Sequence, residues 1–94
     1  MSCYYAYLEI KNMCKTFEHY VEKLYYTAYS MKNADYYYYP NLKRLMAYFL
    51  SELKSDKYRK CIENLDKTIS YIKSYIDIDP DYALLLIYNF CSRF

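Results

Sequence analysis

Acid-base or nucleophilic chemistry in this chain would have to pass through His19, its single histidine. A catalytic base and its nucleophile must meet within hydrogen-bond reach. Cys14 is the nearest thiol along the chain. It belongs to an apolar helical seam, whereas His19 points away from that seam toward solvent, so the two do not share a face. No other acid, base and nucleophile converge, and the chain reads as non-enzymatic.

Asp77, Asp79 and Asp81 alternate like the first ligands of a calcium loop, which places carboxylate oxygens at every second position. The remainder of that loop is missing. Tyr82 stands at the sixth position, where the turn needs glycine, and Tyr88 at the twelfth, where a bidentate glutamate belongs. The three aspartates read instead as helix-capping charge. The four cysteines, Cys3, Cys14, Cys61 and Cys91, form no CxxC pair and no zinc-like spacing. Reduced, buried thiols are expected, with no metal and no cofactor.

Charge is uneven along the chain. Residues 41–60 carry six basic and two acidic side chains, although the net charge of the whole is only +2. Lys43, Arg44, Lys54, Lys57, Arg59 and Lys60 form a basic junction that can neutralise phosphates, with tyrosines nearby to stack on unpaired bases. Accessory RNA or DNA binding is therefore the alternative reading. The small net charge favours a solvated face over a dedicated nucleic-acid surface.

Tyrosine is the most unusual feature: 17 of 94 residues, with Tyr36, Tyr37, Tyr38 and Tyr39 consecutive. Each carries a large apolar ring with a polar tip, which suits a surface that another molecule covers. Four successive rings in a connector cannot all point inward. Tyr5, Tyr26 and Tyr29 also fall outside the first helix's seam. These seven tyrosines are the expected protein interface, while Tyr7 and Tyr58 lie on seams and are expected to be structural.

The elements that position these residues are helical. Cys3, Tyr7, Ile10, Cys14, Phe17, Val21, Leu24, Ala28 and Met31 alternate spacings of four and three, a heptad seam. They predict one long amphipathic helix over about 3–32, long enough to outreach a compact domain of this size. Asn33, Ala34 and Asp35 interrupt the pattern, and Tyr39-Pro40 predicts a boundary, because the residue before proline is disfavoured in the α region. Leu42, Leu45, Met46, Phe49, Leu50 and Leu53 mark a second helix over about 40–54. A third, over about 56–77, follows from Tyr58, Ile62, Leu65, Ile69, Ile72 and Ile76. Asp56 with Lys60 and Glu63 with Lys67 are expected as ion pairs on its outer face.

Asp79-Pro80-Asp81 opens a fourth helix over about 80–93, with a cap, proline in the first turn and acid at the positive end of the dipole. That helix is apolar nearly all round, which makes it the central packing element or half of an interface. The stretch from Tyr75 to Ala83 resembles the junction between tetratricopeptide repeats, where a helix ends, Asp-Pro follows and the next begins. The likeness covers nine residues, with no second copy about 34 residues away. It implies shared capping chemistry.

The expected architecture is thus an all-α, four-helix array in a single domain spanning residues 1–94. No apolar run approaches the roughly 18 residues of a membrane span. With no secretory pattern at the N-terminus, an intracellular, cytoplasmic protein is expected. Lys, Tyr, Ile, Asn and Phe together make 43 of the 94 residues. All have AT-rich codons, a bias that suggests a virus or a reduced parasite and, if viral, the host cytoplasm. The favoured function is a protein-binding or assembly module acting through its tyrosine-rich helical surfaces. The expected partner is a second copy of the chain or another protein, with no small-molecule substrate. An adaptor or inhibitor docking on a larger complex is a further alternative.

Overall fold

The computed structural model describes residues 2–94, and they form five helices with no strand among them. The first, α1 (Tyr4–Tyr29), runs antiparallel to α2 (Ala34–Glu52) and forms the long axis of the molecule. A short α3 (Asp56–Cys61) crosses beside the N-terminal half of α1 and leads into α4 (Leu65–Tyr75). The last helix, α5 (Pro80–Cys91), packs on α1, α2 and α4. Ala83, Ile87, Phe90 and Cys91 of α5 are buried in the shared core. No described helix is long and apolar enough to cross a membrane.

α1 holds 26 residues and extends about 39 Å at 1.5 Å per residue. The described residues span 50 × 23 × 17 Å with a Cα radius of gyration of 14.0 Å, against roughly 12 Å for a compact chain of this length. The first helix does outreach a compact domain. Its seam buries Ile10, Cys14, Phe17, Val21 and Ala28, but Tyr7 and Met31 are exposed and Ala6 is buried in place of Tyr7. A straight helix repeats every 3.6 residues, so a 3.5-residue pattern drifts off the packed face toward its ends.

Two of the expected boundaries need correction. α2 begins at Ala34, not Pro40, so Tyr36 to Tyr39 belong to a helix and Pro40 lies inside it. Proline lacks an N–H and crowds the preceding turn. Tertiary contacts outweigh that penalty: Tyr38 and Tyr39 pack on the core, and the Tyr39 hydroxyl donates to Asp81 Oδ2 at 2.9 Å. The Asn41 side-chain amide donates to the Tyr37 carbonyl at 2.7 Å, an added tie across the turn that holds the proline.

The expected third helix over 56–77 is two helices. Ile62 is extended and Asn64 adopts φ 58°, ψ 28°, the left-handed region that asparagine tolerates better than most residues. The apolar phase survives this break, since Tyr58, Ile62, Leu65, Ile69, Ile72 and Ile76 are all buried. Ser55 caps α3 by accepting from the Tyr58 N–H, and Asp79 caps α5 by accepting from the Tyr82 N–H. The expected ion pairs of Asp56 with Lys60 and Glu63 with Lys67 do not form. Arg59 takes Asp56, and also Asp66 at 2.8 Å, because the break turns α4 back toward it.

The expectation of reduced thiols is overturned. Cys3 is bonded to Cys61, and Cys14 to Cys91, leaving no free cysteine. The first tie fastens the start of α1 to the end of α3, and the second fastens the middle of α1 to the last residue of α5. Both pairs lie far apart in sequence, so only the packing of the helices brings them together.

Candidate functional site

The expected interface tyrosines separate into two groups by placement. Tyr36 is 85 % exposed, Tyr29 78 %, Tyr26 72 % and Tyr5 68 %. Tyr37, Tyr38 and Tyr39 are half-buried. The last two are held in the core boundary with their rings at right angles, 5.1 Å between centroids. Burial and the Asp81 hydrogen bond distinguish them chemically. Desolvation raises the Tyr38 hydroxyl above the ordinary phenol value, and the bond to Asp81 pushes Tyr39 up to about 12.

Tyr26, Tyr29 and Tyr36 gather at the turn between α1 and α2, whereas Tyr5 lies at the opposite end of α1. Tyr25 links Tyr26 and Tyr29 to the core-boundary Tyr38. Its ring lies 5.8 Å from Tyr26, 6.2 Å from Tyr29 and 6.4 Å from Tyr38. Sequence reasoning missed it, although its position beside Tyr26 on the outer side of the seam was the available signal. The result is an aromatic surface at one tip of the long axis, with hydroxyls available to water. At the other tip Tyr4 and Tyr5 form an edge-on pair with centroids 5.5 Å apart.

Between the tips, α1 and α2 leave an open groove of about 440 Å³. Its floor includes the buried rings of Phe17 and Phe49, 4.9 Å apart, and the exposed Tyr20 and Tyr48 stand at its lip. Glu9, Glu52 and Tyr58 close one end. Glu9 accepts from Lys57 Nζ at 2.6 and 2.9 Å and from the Tyr58 hydroxyl at 3.1 Å. The Lys57 hydrogen bond holds the Glu9 carboxyl below its usual range, while burial and then Glu9 raise the Tyr58 phenol. None of Tyr20, Tyr48, Glu9 or Glu52 stood out in the sequence, because a groove depends on which two helices become neighbours.

The basic junction is not a free cationic patch. Lys57 is paired with Glu9 at 2.6 Å, Arg59 with Asp56 and Asp66, and Lys43 lies 3.9 Å from Asp77. Arg44 donates to the Asn41 side-chain oxygen at 2.6 Å, and Lys54 and Lys60 are exposed. The aspartates of the calcium-like spacing are likewise dispersed among separate duties. Asp79 caps α5, Asp81 receives Tyr39 and Asp77 faces Lys43. No three His, Cys, Asp or Glu side chains are arranged to hold a metal among the described residues. His19 is exposed, with its ring 6.0 Å from that of Tyr20. Cys14, its nearest thiol in sequence, is bonded to Cys91.

No protein-family model, curated protein or solved structure matches this chain.

Proposed function

We propose that this protein is a non-enzymatic binding or assembly module that acts by covering the tyrosine-rich tip of the α1–α2 hairpin, with a second copy of itself as the favoured partner. The observation that carries this reading is the exposure of Tyr26, Tyr29 and Tyr36 beside the α1–α2 turn, with the first two next to the ring of Tyr25. Tyrosine supplies a large contact area while losing few rotatable bonds, and its hydroxyl keeps the unbound surface wetted. The rigid hairpin behind these rings means that little order is lost on association.

The two disulfides favour an oxidising compartment as the place where the module works, because cytosolic thiols are normally kept reduced. Nucleic-acid binding is the weaker reading, since Lys57, Arg59 and Lys43 already face carboxylates.

Light scattering of the untagged protein over a dilution series tests the assembly reading. Dimer is expected at high micromolar concentration, with Tyr26, Tyr29 and Tyr36 all changed to serine weakening it at least about tenfold. A strict monomer at that concentration defeats self-association. Affinity capture from the native cell then separates an adaptor, which retains a foreign protein in fixed ratio, from a nucleic-acid binder.

A further inference from the structure

We propose that the groove between α1 and α2 binds a small organic cation, an apolar or aromatic body ending in an ammonium group. This site is separate from the assembly surface, for Tyr26, Tyr29 and Tyr36 do not line it. Its volume of about 440 Å³ falls within the roughly 300–1,000 Å³ of small-molecule sites. The floor is apolar, and the buried phenylalanines there offer a ligand body a place to leave water.

Charge selects the rest of the ligand. No Lys, Arg or His lines the groove among the described residues, whereas Glu9 and Glu52 both do. Lys57 reaches in from α3 and offsets Glu9 alone. Glu52 forms no ion pair among the described residues, so the closed end keeps one surplus negative charge. An ammonium placed there meets the Glu52 carboxylate beside Tyr48, whose ring attracts cations through its quadrupole, while Lys57 Nζ already lies 5.8 Å from the Tyr58 ring centroid. A carboxylate ligand in the same place meets the like charge of Glu52, and a neutral one gains nothing from it.

Lys57 gives the proposal an internal control. Its ammonium occupies one carboxylate of the same end, so it competes with the ligand for Glu9. Removing it makes the groove more negative and substitutes no residue of the lining. Removing the Glu52 charge does the opposite. The two substitutions must therefore move affinity in opposite directions.

The experiment is an amide NMR titration of the full disulfide-bonded chain with phenylbutylamine, and in parallel with phenylbutanol and phenylbutyrate as neutral and anionic probes of the same body. The amine is expected to give saturable shifts around Glu9, Phe17, Phe49 and Glu52. Its affinity should exceed the alcohol's by roughly fivefold, the worth of one half-exposed charge pair, with the carboxylate weakest. Glu52→Gln should bring the amine down to the alcohol's affinity, and Lys57→Ala should tighten the amine about twofold or more. Equal binding of amine and alcohol, shifts centred elsewhere, or no saturable shift overturns the proposal. The three-probe comparison on the native chain decides the matter even if a variant fails to fold. It is also independent of oligomeric state, so a monomeric protein that binds the amine would sink self-association alone.

Discussion

Cys14 and Cys91 are bonded across 77 positions of sequence, with their Cα atoms 5.7 Å apart and both residues buried. The bond joins the middle of α1 to the last residue of α5, a helix packed on α1, α2 and α4. Closing so long a loop removes a large share of the unfolded chain's freedom. Changing both residues to alanine is expected to lower the stability by about 2–5 kcal/mol. Urea unfolding of the double variant, followed by far-ultraviolet circular dichroism, checks it. A loss below the bottom of that range would mean that packing alone holds α5 in place.

The Cys3–Cys61 bond is the more accessible of the two, since both of its residues are half-buried. Thiol-disulfide exchange requires the attacking thiolate to reach sulfur. Under graded dithiothreitol without denaturant, Cys3 and Cys61 should therefore be alkylated before Cys14 and Cys91. Peptide mass spectrometry reads the order directly. Simultaneous modification of all four would show that reduction proceeds only through global unfolding.

Tyr39 gives the protein an alkaline limit. Its hydroxyl donates to Asp81, and this bond, with burial, holds its pKa at about 12 against an ordinary 10.0. Burial pushes Tyr88 up to about 12 as well. A raised folded-state value means that the folded protein retains a proton which the unfolded chain gives up. The resulting stability is fully present below pH 10 and is lost as the pH rises toward 12. Tyrosinate absorbance should therefore show a late phase as the pH approaches 12. Tyr39→Phe should shrink the late phase and flatten the fall in urea stability across the same interval. An unchanged late phase in that variant would remove Tyr39 as its source.

What the sequence made legible was the set of apolar faces. The residues from Tyr58 to Ile76 were expected on one stripe, and all six are buried although the helix carrying them breaks at Ile62. Side-chain spacing reports which residues face inward, and a short kink that preserves phase leaves that report intact. The cysteine pairing was hidden for the opposite reason: four thiols allow three connectivities, and only the neighbour relations of the helices select among them. The same missing information concealed the groove, since Phe17 and Phe49 each read as core before α1 and α2 were known to face one another. Tyr36 to Tyr39 are helical and not the expected connector, because contacts with α5 outweigh a local proline rule.

The break itself is testable at Asn64, the single non-glycine residue with positive φ among those described. The left-handed conformation costs an ordinary residue roughly 1–2 kcal/mol, and asparagine escapes part of that through local hydrogen bonding. Glycine carries no Cβ and adopts the same angles freely. Asn64 is also exposed, so its replacement disturbs no packed neighbour. Asn64→Gly is expected to keep or slightly raise stability, and Asn64→Val to lower it by about 1–2 kcal/mol. Paired urea titrations read the difference. If valine were tolerated as well as glycine, α3 and α4 would have to merge into the continuous helix that the spacing from Tyr58 to Ile76 first implies, and the Arg59–Asp66 pair would be lost with the turn that creates it.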